Sequence, residues 1–208
     1  MEPLKEFRTL GADVTAEFEE KKSVFLGHAS PVHSEDEALA YLKAKREEYA
    51  DARHNVYAYL LADGTARCSD DGEPQGTAGI VLLDVLRKNG VTDCILVVTR
   101  YFGGILLGAP GLVRAYSMSA RLAVEKAGIV TVGTFADFTL TVPYADHRRL
   151  KNELDKRGVT VAREEFAENV TLSLSVRAEE FDRVAAFLRE CSAGKLQAVK
   201  TGEHPGIL

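Results

Sequence analysis

An α+β fold in two domains, residues 1–133 and 134–208, is what the sequence predicts, and three observations predict it. Thirteen of the 17 glycines fall before residue 134, so the first part is a chain of many turns and close backbone approaches. Strand-like and helix-like periods alternate through that part with no internal repeat. The second part runs strand, helix, strand, strand, helix, strand. That βαββαβ order is the ferredoxin-like split β-α-β arrangement, with helices on one face of an antiparallel sheet.

Val14–Phe18 and Val24–His28 form a hairpin around the charged turn Glu19–Lys22. Ser34 and Glu37 have capping-box spacing, and Ala38, Leu39 and Leu42 follow at helical intervals, predicting a helix to about Asp51. Asn55–Ala62 is a strand with apolar side chains on both faces, the mark of burial on both sides. Ala78–Lys88 is a helix that Gly90 closes, since glycine takes the left-handed cap conformation without steric cost. Asp93–Tyr101 is the clearest strand of the chain, β-branched and apolar on both faces. Pro110, suited to a first helical turn, opens a helix that ends at Ala127 before Gly128. In the second part the predicted strands are Phe135–Val142, Val159–Phe166, Val170–Arg177 and Lys195–Lys200. The helices are Ala145–Arg157 and Ala178–Cys191.

With 26 Lys+Arg against 31 Asp+Glu the formal net charge is −5, which argues against a bulk polyanion binder but leaves room for a local basic patch. The 46% apolar content suits a packed globular chain and excludes wholesale disorder. The longest apolar runs, such as Ile95–Val98, fall far short of the roughly 20 residues that span a bilayer. Met1–Glu6 is acidic and lacks the apolar stretch of a secretory signal. Cys68, Cys94 and Cys191 lie far apart, a pattern of a reducing compartment rather than of disulfides or zinc. A cytoplasmic chain with no membrane partner is therefore expected.

The chemistry-bearing stretch is 69–121. It opens with Ser69, Asp70, Asp71, Gly72, Glu73 and Pro74, followed by Gly76 and Thr77. It continues through Thr99, Arg100, Tyr101, Phe102, Gly103 and Gly104 to Gly108 and Gly111. From Cys94 to Val124 there is no acidic residue, yet Arg100, Arg114 and Arg121 are present. Arg114 and Arg121, seven apart, share a helix face. Guanidinium groups beside a Gly-rich loop and a helix start suit a phosphate, because amides and helix dipole point the same way. In the alternative, the arginines pair with Asp70, Asp71 or Glu73 and lock a tight core. A P-loop is excluded: Gly103 and Gly108 lack the Lys and hydroxyl that hold the γ-phosphate and Mg²⁺. Asp70, Asp71 and Glu73 offer hard oxygen ligands for a divalent cation, while Asp-Gly followed by Glu-Pro equally reads as a turn. His54, beside Arg53, invites pairing with Cys68 or Ser69, but no spacing orients such a nucleophile, so no catalytic residue is assigned. Tyr57, Tyr59, Tyr101, Phe102 and Tyr116 are available to stack bases or to fill the core; Tyr101 and Phe102, next to the Gly-Gly loop, are expected at the surface.

With these residues in view, the chain looks like a bacterial two-domain member of the YigZ/IMPACT family. The resemblance rests on Arg53–Asn55, Ser69–Pro74, Gly76–Gly79, Val97–Gly104 and Leu107–Tyr116, and covers about residues 15–130. It implies that the first domain folds like domain IV of elongation factor G, and the second like its domain V. It also implies a nucleic-acid or ribosome-associated role. The eukaryotic relatives regulate translation by competing for an activator of a stress kinase, through an additional N-terminal domain, so that partner is not carried over. Pro110 stands where the family more often has Gly, and removes one amide from the helix start. The expectation is a non-enzymatic cytoplasmic factor, without cofactor or metal, that touches RNA, the ribosome or a protein of the translation machinery. Its contact residues would be Arg53, His54, Arg100, Tyr101, Phe102, Arg114 and Arg121. Two rivals stand beside it: a metal-dependent or hydrolytic enzyme centred on Asp70, Asp71, Glu73 and His54, and a protein-interaction module in which the motif is architectural.

Overall fold

The computed structural model describes residues 6–208, so most of the N-terminal segment read above for a signal lies outside the described residues. The chain divides into two compact units, one of them Phe7–Thr131 and the other holding Val132–Leu208.

In the first unit, β1 (Phe7–Leu10) precedes the hairpin of β2 (Val14–Glu20) and β3 (Ser23–Pro31). Helix α1 (Glu35–Glu48) follows, then β4 (His54–Leu60), β5 (Ala66–Ser69), α2 (Gly79–Asn89), β6 (Cys94–Tyr101) and α3 (Gly108–Ala127). Strands β2 to β6 form one antiparallel sheet in the order β2-β3-β6-β4-β5. The central strand β6 explains the layering. Cys94, Leu96 and Val98 pack with α2 and α3, while Ile95 and Val97 pack with Ala38 and Leu42 of α1. A strand buried on both faces needs the unbroken apolar run that made β6 so legible. Ser34 caps α1, its Oγ accepting from the Glu37 amide at 3.2 Å; the Glu37 carboxylate returns to the His33 amide, not to that of Ser34. Gly90 closes α2 in the left-handed conformation, as its position suggested.

In the second unit, β7 (Ile129–Val142), α4 (Tyr144–Asp155), β8 (Thr160–Phe166), β9 (Val170–Arg177), α5 (Phe181–Cys191) and β10 (Val199–Ile207) realise the βαββαβ order. Their antiparallel order β10-β7-β9-β8 is the ferredoxin-like one. Phe138, Leu140, Leu172 and Leu174 face Leu150, Leu154, Val184 and Leu188 of the two helices.

Three expectations need correction. The last strand is not Lys195–Lys200 but Val199–Ile207; Leu196 is tucked into the core instead, and the strand crosses Gly202, Pro205 and Gly206 with a register shift after Lys200. A sequence so poor in strand formers is held extended by pairing with β7, not by its own preference. Strand β7 begins at Ile129 rather than Phe135, and β1 and β5 were not read at all, four residues each being too short for a visible period.

Candidate functional site

Strand register assembles the site. At the end of β6, Arg100 stands opposite Phe25 of β3 on one side and His54 of β4 on the other. All three share the parity of the residues that face α2 and α3, so the row lies under the start of α3. Into it the 69–79 loop inserts Glu73. The Arg100 guanidinium donates from Nη1 to Glu73 Oε1 at 2.7 Å, and the Tyr116 hydroxyl donates to the same oxygen at 2.7 Å. Both charged side chains are buried, 7% and 4% exposed. Arg100 also lies over the Phe25 ring at 5.5 Å and the Phe102 ring at 5.7 Å. Burial, with the Glu73 charge beside it, drives the Tyr116 phenol far above its ordinary range, so it stays a donor.

The loop that carries Glu73 is held by its own two aspartates. Asp70 accepts the amides of Gly76 (2.8 Å), Ala78 (3.0 Å) and Gly79 (2.7 Å), which fixes the start of α2. Asp71 accepts from Arg46 of α1 at 2.9 Å and from the Asn55 amide at 2.7 Å. Asp71 and Gly72 both have positive φ (46° and 87°), the geometry of a primed two-residue turn. The Gly103 loop is fixed by proximity: a Cβ there would stand 2.0 Å from the Lys22 carbonyl, so only glycine passes the β2–β3 turn.

His54 completes the polar floor. Its Nδ1 lies 2.7 Å from the Asp71 carbonyl oxygen, which can only accept, so the proton is assigned to Nδ1. Its Nε2 lies 3.9 Å from Glu73 Oε1. Below this floor runs a second polar chain. Thr99 spends its hydroxyl proton on Asn55 Oδ1 (2.7 Å), so it accepts from His28 Nε2 (3.3 Å), and His28 Nδ1 accepts from Thr15 (2.9 Å). Burial, with Lys45 nearby, lowers the His28 pKa to about 4 and keeps the ring neutral, as the chain requires.

A cavity of about 350 Å³ opens above Arg100. Its polar floor is His54, Glu73 and Arg100; Phe102, Leu106 and Leu112 form an apolar wall, Arg53 stands at the side, and Gly108 and Ala109 bring the first turn of α3 to it. That volume is within the range of small-molecule pockets.

The positions named from sequence thus separate into two groups. Ser69, Asp70, Asp71, Gly72, Glu73, Pro74, Gly76 and Thr77 form one loop, with Thr77 donating its hydroxyl to the Pro74 carbonyl. Of these, Gly72, Glu73 and Pro74 line the cavity, together with Arg53, His54, Arg100, Phe102 and Gly108. Arg100 corrects the expectation of an open guanidinium: Glu73 caps it beneath the surface. Arg53, Arg114 and Arg121 are exposed and carry no ion pair among the described residues. Tyr101 is half-buried and donates to Asp51 at 2.8 Å, whereas Phe102 is open, so only the second meets the surface expectation. Tyr116 and Tyr59 are buried and unavailable for stacking bases. Of the carboxylates on which the metal-centred rival rests, Asp70 and Asp71 spend both oxygens on N–H donors, and Glu73 spends Oε1 on Arg100 and Tyr116. Cys68 lies on β5 opposite Ala58, not beside His54, and burial with Asp70 nearby raises its thiol pKa. Sequence reading missed Tyr116 as the partner of Glu73; the aromatic at that helix position, on the face carrying Leu112 and Ala120, was the available signal. Arg46 as the anchor of Asp71 left no trace in sequence.

Comparison with known proteins places the same residues in a family context. The Impact N-terminal domain matches residues 21–124, and a domain of unknown function (DUF1949) matches residues 140–195. The chain is 35% identical to the IMPACT family member YvyE of Bacillus subtilis, over 88% of this chain and 85% of that protein. It is 32% identical to the IMPACT family member YigZ of Escherichia coli, over 92% and 96%. Against the human Protein IMPACT the identity is 31% over 51% of this chain and 35% of that one. A crystal structure described as a hypothetical protein superposes with a TM-score of 0.62 at 30% identity, covering 96% of this chain and 98% of the other.

Proposed function

The chain belongs to the IMPACT family, and within it we propose a non-enzymatic cytoplasmic factor whose first unit contacts RNA, free or in the ribosome, through phosphates. The observation that carries this reading is the state of three arginines. Arg53, Arg114 and Arg121 are open to solvent and unpaired among the described residues, and the chain from Cys94 to Val124 holds no carboxylate to oppose them. Arg114 and Arg121 lie two turns apart on the outer face of α3. Lys88 and Asn89 of α2 line a neighbouring groove with Arg121, where the carboxylate of Asp84 also stands. Arg100 is no part of it, since its charge is met by Glu73.

Such contacts are sequence-independent and salt-sensitive. Titrating a fluorescent single-stranded RNA with the wild-type chain and with the Arg114→Ala/Arg121→Ala variant, at several salt concentrations, tests the reading. The variant binds more weakly, and its log–log salt slope falls by roughly 1.4, about 0.7 per lost phosphate contact. Superimposable curves for the two proteins remove the α3 arginines from the interface.

A further inference from the structure

One buried donor at the cavity has no acceptor. The Arg100 side chain is 7% exposed and gives Nη1 to Glu73, while its Nε–H has no hydrogen-bond partner among the described residues. Nε and Nη2 form the other edge of the guanidinium, a pair of parallel donors that matches the two oxygens of a carboxylate. A buried polar group left without a partner needs a reason, and an acceptor carried by a ligand supplies one. The lining of the cavity says which acceptor. Arg53 and Arg100 stand there against the single carboxylate of Glu73, so, His54 aside, one positive charge is left over. The first turn of α3, whose start no side chain caps, brings Gly108 and Ala109 to the same space with the positive end of the helix dipole. Pro74, Phe102, Leu106 and Leu112 make the rest of the wall apolar. Nε lies out of water's reach, and the rings of Phe25 and Phe102 lie against its guanidinium. Phe25 is fully buried, whereas Phe102 is 42% exposed and has room to turn outward as an oxygen enters.

From this we infer that the cavity binds a carboxylate attached to a small apolar body. Its two oxygens meet the Nε–Nη2 edge of Arg100, Arg53 supplies the unspent charge, and the body lies along Leu106 and Leu112. One leftover charge suits a monoanion, whereas a phosphate dianion asks for two. The volume of about 350 Å³ admits a group such as a phenyl ring with a short chain. A free carboxylic acid and the C-terminal carboxylate of a peptide ending in an apolar residue share this chemistry. The inference has only Arg53 in common with the phosphate-contact reading above, and is independent of Arg114 and Arg121.

Titration of the intact, nitrogen-labelled chain with hydrocinnamate, followed by nuclear magnetic resonance at the arginine Nε–H signals, tests it. The Arg100 signal, assigned by its absence from Arg100→Lys, shifts saturably. The neutral amide of the same acid binds at least about tenfold more weakly, through loss of the charge-assisted pair. Acetate, which lacks the apolar body, is weaker by a similar factor. Arg100→Lys keeps a cation for Glu73 but has no second edge, and loses hydrocinnamate binding. Arg53→Ala, at an exposed position that leaves the fold intact, weakens hydrocinnamate by about threefold and leaves the amide unchanged. An acetylated Gly-Gly-Phe peptide separates the sources: tighter binding than hydrocinnamate assigns the site to a peptide terminus, and weaker binding assigns it to a free acid. The Arg114→Ala/Arg121→Ala variant binds hydrocinnamate as the wild type does even where RNA affinity falls, so the two readings fail separately. Equal affinity for the acid and its amide, or inorganic phosphate binding as tightly as hydrocinnamate, overturns the inference. So does an Arg100 Nε–H signal that stays in place up to roughly 10 mM hydrocinnamate.

Discussion

Two hydrogen bonds converge on one oxygen of Glu73, from Arg100 and from Tyr116, in a place where water does not reach either partner freely. Taking two charges out of water costs nearly as much as their attraction returns, so the pair by itself is a weak source of stability. Breaking it is another matter. Arg100→Met leaves the carboxylate buried with a single phenol donor, and should destabilise the chain by about 3–5 kcal/mol in urea unfolding. Glu73→Gln introduced together with Arg100→Met should recover a large part of that loss, because no unpaired charge then remains. A loss below about 1 kcal/mol for the single variant contradicts the buried pairing. His28 makes a second prediction. Its pKa is lowered to about 4 from an ordinary value of 6.5, so below pH 6.5 the unfolded chain binds a proton that the folded chain refuses. The neutral ring contributes its stability in full above pH 6.5, and that contribution falls away as the pH drops toward 4. The amplitude is about 3 kcal/mol at most. Glu35 and Glu48, whose carboxyls are held below 4.5, titrate beneath most of that window, so urea midpoints between pH 6.5 and 4.5 isolate the ring. A His28→Gln variant with the same slope as wild type excludes it as the cause.

Among the elements, α2 depends on a residue nine positions before its start. Ala78 occupies the cap position and has no side-chain oxygen to offer, so the free amides of Ala78 and Gly79 turn to Asp70. Asp70→Ala removes an acceptor of three amides and should cost about 2 kcal/mol, the upper range for a lost helix cap. Hydrogen exchange localises the effect: the first turn of α2 and the 70–76 loop lose protection, while the α1 amides keep theirs. Uniform loss over the unit would show that Asp70 supports the fold as a whole rather than this junction. The elements also show where local signals suffice. Strand β6 is written by its own apolar run, and α2 by its periodicity and Gly90. Strand β10 is not, because Thr201–Gly206 contains two glycines and a proline and becomes a strand only through its ladder with β7.

A negatively charged chain here carries three exposed arginines without an ion pair among the described residues, which is why net charge alone argued against polyanion binding while the 94–124 stretch argued for a patch. No helix among the described residues is long and apolar enough to cross a membrane. The family motifs meet in space, since the 69–79 loop, the end of β6 and the start of α3 close on one cavity. What they did not disclose was the division of labour among the arginines. Arg100, Arg114 and Arg121 look alike in sequence, each in a stretch without acids, because a linear reading sees only near neighbours. Glu73 lies 27 residues from Arg100 along the chain and 2.7 Å away in space. The sequence by itself determined the βαββαβ order of the second part, the helices and longer strands of the first, and the two-part organisation, all of which follow from local periodicity and turn chemistry. Only the tertiary structure decided which guanidinium is consumed and which remain free, since that depends on strand register and on where a turn of positive φ delivers one carboxylate.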